Sequence, residues 1–394
     1  MRRLLVLTLG AFVWQTTEIL PIGLLPQIAG DLHVSEAQVG FLVTGYAWLV
    51  ALTAVPLTLL TGRLDRHVLV RILLASLTGA NLLAAFAPNY LILAIVRVIV
   101  ALGHGIFWSI IASLATRLAP DMPKSRATAW AFAGIALALV GGVPCATAVG
   151  QWLGWRSAFG IGSLLGGIGV IAAMVVLPPM PALRPETMDR RLLRQPAILH
   201  LWLVTALIIT AHFCGYTYIA PLLERVAGVP GPWLPSFLLI FGIAGVAGNG
   251  IAGWLSCPAR RMIGVASCGV VTSQAVMGLG SVSPTLSWIT MALWGASASL
   301  LVVGLQSWVL ELARDHTDAA SALYVSAFNF GIGSGALVGG SVLNEVGLSA
   351  VPWFSVTIGV VAVGILRLPI RLRHGHPQSA ARSESSNATH PSLF

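Results

Sequence analysis

Apolar residues run in long stretches broken by short polar gaps. The stretches lie at 4–28, 38–60, 69–87, 90–117, 127–149 and 157–177, then at 198–223, 234–255, 262–282, 286–312, 319–343 and 350–370. About 20 apolar residues carry a helix across a ~30 Å hydrocarbon core, where it satisfies its own backbone polar groups. The pattern predicts an all-α polytopic membrane protein with 12 transmembrane helices. A polar gap rich in proline and arginine separates the sixth stretch from the seventh. It divides the chain into a first six-helix bundle (1–183), a linker (184–197), a second bundle (198–373) and a polar, serine-rich tail (374–394) expected to be disordered. The halves echo each other: Gly134, Ala138 and Gly142 recur at four-residue steps in the fifth stretch, as do Gly331, Gly335 and Gly339 in the eleventh. Small residues at that spacing inside apolar helices allow close helix packing.

Composition sharpens the class. The chain is 57% hydrophobic and 9% charged, against about 25% charged in soluble domains. The net charge of +9 is a matter of placement: all of its 22 lysines and arginines except Arg97, Arg156 and Arg225 fall on one side of the predicted spans. The positive-inside rule makes that side, with both termini, cytoplasmic. Nucleic acid is not needed to explain the charge. Cys145, Cys214, Cys257 and Cys268 are scattered and suggest neither a disulfide framework nor a zinc site. Met-Arg-Arg followed by an apolar run mimics a signal peptide, but the run continues past Glu18 without a small-residue cleavage site, so a retained first helix is expected. Gly-Lys-Ser/Thr and His-Glu-x-x-His are absent, and Lys124 is the sole lysine. No ATP site, metal site or nucleophile-base-acid set is expected, and the chain does not read as an enzyme.

Chemistry concentrates in a few intramembrane residues. Glu18 sits near the middle of the first span, with Trp14 and Gln15 on its helix face. A carboxylate at that depth is expensive and marks a functional site, or else pairs structurally with a neighbouring helix. Pro21 frees a backbone carbonyl one turn back, which a threonine hydroxyl, from Thr16 or Thr17, is expected to satisfy. The fourth span shows Arg97, Ala101, His104 and Trp108 on one face. His104 falls level with Glu18, and Arg97 roughly 10 Å further out. Arg97 is either a site residue or an anchor to another helix or to backbone carbonyls; His104 is either a site residue or a satisfied core histidine. His212 and Tyr216 share a face of the seventh span with Thr205. Gln306 and Asn329 either bridge helices or bind substrate. Trp14, Trp48 and Trp108 offer stacking faces, whereas Trp152, Trp155, Trp233 and Trp353 read as interfacial anchors. Asn81 and Asn249 are weaker candidates.

Several stretches resemble the major facilitator superfamily. Gly62-Arg63-Leu64-Asp65-Arg66 is similar to its loop 2–3 signature, although shorter, with His67 and Arg71 as partial substitutes for the second basic cluster. Arg97 with Gly103 and Gly105 resembles its helix 4 motif, and Gly134, Gly141, Gly142, Pro144 and Gly150 its antiporter glycine-proline motif. Gly154-Trp155-Arg156 with Phe159 resembles its start of helix 6. Thr16-Thr17-Glu18 through Leu25, Tyr46-Ala47-Trp48, His104 to Ser109 and Phe328 to Gly333 are similar to the SotB-like sugar efflux branch of the drug:proton antiporter group.

The resemblance implies two pseudo-symmetric bundles with helices 1, 4, 7 and 10 lining a central cavity. It implies a monomeric, multi-pass proton antiporter of the bacterial inner membrane that exports small sugars or sugar analogues such as arabinose and thiogalactosides without a cofactor. A drug or purine-nucleoside exporter, and an uncoupled uniporter or sensor, are the alternatives. On this view Glu18, His104 and Arg97 handle protons. Trp14, Gln15, Glu18, Tyr46, His104, Trp108, His212, Tyr216, Gln306 and Asn329 meet substrate, and Asp65, Arg66, Gly142 and Pro144 serve the gating.

Overall fold

The computed structural model describes residues 1–122, 124–182, 195–254, 257–280, 283–312 and 317–369. Most of the expected linker, and the whole tail from 374, lie outside them. Among the described residues the chain is helical and free of strands. The helices are α1 (Arg2–Gly23), α2 (Leu25–Leu32), α3 (Glu36–Leu60), α4 (Arg66–Ala85), α5 (Tyr90–Leu118), α6 (Lys124–Leu137), α7 (Val143–Leu153) and α8 (Trp155–Val176). They continue as α9 (Pro196–Tyr216), α10 (Ile219–Pro221), α11 (Leu234–Trp254), α12 (Ala259–Gly278), α13 (Pro284–Leu312), α14 (Thr317–Glu345) and α15 (Val351–Arg367). Eleven helices among the described residues are long and apolar enough to cross a membrane. α12 falls short of that measure because Arg260, Arg261 and Gln274 dilute its apolar run.

Local sequence explains the breaks. Pro21 lies inside α1, which ends two residues later, and Pro26 starts α2; a proline fits a first helical turn and disrupts an interior one. The residues joining α6 to α7, Ala138–Gly142, form a π-helical turn just before Pro144, so the two helices make one kinked span. Ser35 and Gln38 close a reciprocal capping box that starts α3, and Asn89 caps α5. Gly154 and Gly347, with φ of +83° and +111°, turn the chain at corresponding places in the two halves, ahead of α8 and ahead of α15.

The packing repeats. In the first half α1 packs on α6 and α8, α3 on α5, and α4 on α5 and α8. In the second, α9 packs on α14 and α15, α11 on α13, and α12 on α13 and α15. Mapping α1, α3, α4, α5, α6–α7 and α8 onto α9, α11, α12, α13, α14 and α15 turns one set into the other. The glycine rows sit in these contacts as expected. A Cβ at Gly134 would lie 2.2 Å from Thr8 O, and one at Gly335 would lie 2.6 Å from Thr210 O. Outward faces stay apolar, as lipid requires: Ile161, Leu164, Ile168, Ile171 and Val175 form one exposed stripe on α8.

Two seams join the halves, α3 against α14 and α7 against α11. One face of α3 forms a ladder at four-residue steps. Glu36 pairs with Arg225, Gly40 faces Tyr218, Thr44 meets Gly333, and Trp48 stacks on Phe330, 6.1 Å between ring centres. A methyl group at Gly40 would sit 1.9 Å from Tyr218 Oη, which itself donates to Ala336 O at 2.9 Å. At the same end of the second seam, Gln151 Nε2 donates to Gly231 O at 2.8 Å. Arg156, at that end too, donates to Asp31 and to Ala87 O and lies over the Trp155 ring. Its hydrogen bond holds the Asp31 carboxyl below the usual carboxylate range, whereas partial burial pushes Glu224 up.

Candidate functional site

The site grows from the proline in α1. Pro21 has no N–H, so the carbonyl of Thr17, four residues back, loses its helical donor. Arg97 of α5 supplies the replacement: Nη1 donates to Thr17 O at 2.8 Å and Nη2 to Glu18 O at 3.0 Å. This corrects the expectation of a threonine hydroxyl. Thr17 Oγ1 instead accepts from Asn81 Nδ2 at 3.0 Å, and Thr16 Oγ1 is buried without a partner. Arg97 is 2% exposed, and its guanidinium rests 4.1 Å from the centre of the Tyr46 ring. Its hydrogen bonds are those of an anchor to backbone carbonyls.

Glu18 therefore keeps a carboxylate that no guanidinium holds among the described residues. Gln15 Nε2 donates to Oε2 at 3.1 Å, and His104 Nε2 stands 3.9 Å away. His104 Nδ1 meets Tyr46 Oη at 2.6 Å. A phenol can donate or accept, so we assign the donor to Tyr46, which leaves the imidazole proton on Nε2, facing Glu18. α3, α5 and α1 thus bring a phenol, an imidazole and a carboxyl into one line near mid-span.

The second half has a parallel arrangement without charge. His212 of α9 accepts at Nδ1 from Trp294 Nε1 at 3.0 Å. Indole only donates, so the neutral His212 must carry its proton on Nε2. Tyr216 stacks against both His212 (5.2 Å) and Phe241 (4.9 Å) and is 4% exposed. Gln274 Nε2 donates to His212 O at 3.3 Å.

The remaining candidates divide. Trp14 is fully buried on Phe107, so its stacking face is spent on packing. Trp108 is half-buried between His104 and Phe132, and Trp48 half-buried in the α3–α14 seam. Asn329 Nδ2 donates to Val325 O of its own helix, and its Oδ1 is buried without a partner. Gln306 is half-buried on α13. Gly142 packs on Thr16 and Phe12, and Pro144 opens α7. Asp65 is exposed. Arg66 is buried with Nε and Nη1 unpartnered, and its backbone N–H donates to Met180 O. Neither forms an ion pair among the described residues. His67 accepts from Met180 N, and Arg71 donates to Ala173 O, Met174 O and Leu177 O, so both tie the end of α8 instead of forming a free basic cluster.

Trp294, Gln274 and the Glu36–Arg225 pair are not among the sequence candidates, and Asn81, a weaker candidate there, donates to the site. Asn81 and Gln274 stand at matching depth in matching helices, a signal an internal alignment of the halves carries.

Comparison with known proteins agrees with this fold. The Major Facilitator Superfamily model matches residues 7–325. A probable sugar efflux transporter of Helicobacter pylori (strain G27) is 36% identical over 374 residues, 93% of this chain and 94% of that protein. Among solved structures, a D-xylose-proton symporter superposes with a TM-score of 0.79 at 14% identity, covering 94% of this chain and 98% of the other. A nucleoside transporter does so with 0.77 at 13% identity, covering 93% and 99%. At such identities the structural matches speak for the fold.

Proposed function

Because the chain belongs to the Major Facilitator Superfamily, a family of membrane transporters, we propose that it exports small sugars or sugar analogues in exchange for protons. The observation that carries this reading is Glu18. It is a mid-span carboxylate that no guanidinium pairs with among the described residues, hydrogen-bonded by Gln15 and faced by a histidine whose other nitrogen meets a phenol. The Helicobacter pylori relative's name supports sugar as cargo. So does the spending of Trp14 and Tyr216 on other rings, which leaves polar groups as the larger part of what the candidate residues offer.

In the cycle, the basic end faces the cytoplasm of a bacterial inner membrane and Glu18 is ionised while sugar binds from that side. The halves rock about the α3–α14 and α7–α11 seams, a proton neutralises Glu18 from the periplasm, and the sugar leaves. The return step carries the proton in. One charge crossing 100 mV supplies about 2.3 kcal/mol, enough for roughly 50-fold export of a neutral solute at ~1.4 kcal/mol per decade.

The test uses purified protein in liposomes with a trapped pH dye, titrated with arabinose, a thiogalactoside, a purine nucleoside and a lipophilic drug. Proton flux evoked by the sugars and lost in Glu18→Gln is the expected result. Flux with the nucleoside or drug alone overturns the cargo, and binding without flux overturns the coupling.

A further inference from the structure

Two buried amides have no part in the cycle above, yet occupy matching places in the two halves. Asn81 stands 15 residues beyond Arg66, the first residue of α4, and Gln274 stands 15 beyond Ala259, the first residue of α12. They are 1% and 0% exposed. Each reaches across to the helix bearing its half's central polar residue. Asn81 Nδ2 donates to Thr17 Oγ1 at 3.0 Å, next to Glu18, and Gln274 Nε2 donates to His212 O at 3.3 Å. Room is left for Gln274 by Gly215, where a Cβ would fall 2.1 Å from Oε1. A buried amide costs free energy that leucine would not, unless its bonds return it. Asn329 shows the alternative, bonding within its own helix; Asn81 and Gln274 bond across.

We infer that Asn81 and Gln274 are a symmetric pair of positioning residues, Asn81 fixing Glu18 through Thr17 and Gln274 fixing His212. The Asn81 part rests on the reading of Glu18 as the coupling carboxyl. Thr17 is gripped twice, its carbonyl by Arg97 and its hydroxyl by Asn81. Pro21 has removed the intrahelical bond at this turn, so these two contacts from different helices set both its height and its rotation. They thereby set the 3.9 Å gap between Glu18 and His104. The titratable and charged groups facing Glu18 are Tyr46 from α3 and Arg97 and His104 from α5. Those of α4 and α8 (Arg66, His67, Arg71 and Arg156) lie towards the helix ends. Lys124 and Arg126 begin α6, α7 brings Cys145, and α10 brings none.

The test titrates the Glu18 carboxyl by infrared difference spectroscopy on the reconstituted full-length protein, the band being identified by its loss in Glu18→Gln. Asn81→Leu and Thr17→Val should each move the band's pH midpoint by at least about 0.5 unit, and the double variant no further than the larger single one. Thr17→Val breaks the same bond from the other side, so misfolding of one variant leaves the other to decide. Gln274→Leu should leave that midpoint in place and raise the KM for arabinose about fivefold with kcat retained. Unmoved midpoints in both Asn81→Leu and Thr17→Val overturn the role of Asn81, and an unmoved KM in Gln274→Leu overturns that of Gln274. A band that persists in Glu18→Gln, or never titrates, sinks the coupling reading itself, which is a separate result.

Discussion

α5 and α9 each carry a histidine near mid-span, and in each the Nδ1 atom meets an aromatic polar group from a neighbouring helix. The likeness ends there. His212 is bound by an indole, which only donates, so its tautomer is fixed. His104 is bound by a phenol, which can donate, as assigned above, or accept, so the bond itself is compatible with either tautomer. Beside His104 lies a carboxyl and an arginine already committed to backbone; the groups around His212 are Tyr216, Phe213, Trp294 and Gln274, none of them an acid or an arginine. Under the proposed antiport, two halves with the same packing plan divide the chemistry, the first moving a proton and the second holding a neutral ligand.

The contrast is most exposed to Glu18→Gln. Its expected outcome is collapse of the roughly 50-fold uphill gradient to equilibration, measured in the liposome assay. His212→Gln should instead weaken apparent sugar affinity and leave uphill export in place. Uphill export surviving Glu18→Gln would erase the distinction.

A smaller effect separates the two aromatic donors. Tyr46→Phe removes the convertible partner and should slow proton-coupled turnover about tenfold, the consequence of a lost buried hydrogen bond. Trp294→Phe should change KM by a similar factor and leave the pH profile of turnover unaltered. Equal pH profiles in both variants would mean that the phenol and the indole serve alike.

The seams between the halves differ too. Gly40→Val cannot coexist with Tyr218 Oη in its present place. Spin labels at Ser35 and Trp233, one in each half, should then report a longer-distance population than in the parent protein. Gly231→Ala, at the second seam, where a Cβ would lie 3.3 Å from the far end of the Glu224 side chain, should produce little change.

The smallest effect is electrostatic. Partial burial raises the Glu224 carboxyl above its ordinary value. A carboxyl raised in the folded state favours folding below its unfolded value and costs stability as pH rises through the folded one. Glu224→Gln should therefore raise the melting temperature by up to about 2 °C at pH 8 and by nothing near pH 4. Asp31 has the opposite sign: its lowered carboxyl supports the Arg156 clamp above the unfolded value, about 3.9, and that support is lost only as pH falls below it. Thermal melts of Asp31→Asn and Glu224→Gln across pH 4–8 separate the two.

Much of this molecule is legible in one dimension. Spans, breaks at Pro21 and Pro144, and packing rows of glycine follow from hydrophobic runs and backbone sterics, which are local. Glu18 is legible because a carboxylate in an apolar run has no bland alternative that is cheap. Arg97 was ambiguous for the opposite reason: a guanidinium satisfies itself equally well on a carboxylate or on carbonyls, and the choice depends on which group of α1 faces α5. A lone amide such as Asn81 reveals nothing until its acceptor, 64 residues away, is known.

Hydrophobic runs along the chain are enough to place it in lipid as two echoing sets of helices and to show where its costly polar residues lie. These are consequences of transfer free energy and of repeat spacing, which need no neighbour. The tertiary structure alone decided which polar atoms meet. It put Arg97 on carbonyls orphaned by a proline, a phenol on one histidine and an indole on the other, and Tyr218 into the notch at Gly40. Hydrogen bonds act over about 3 Å, and residues far apart in the chain reach that range only after the helices have packed.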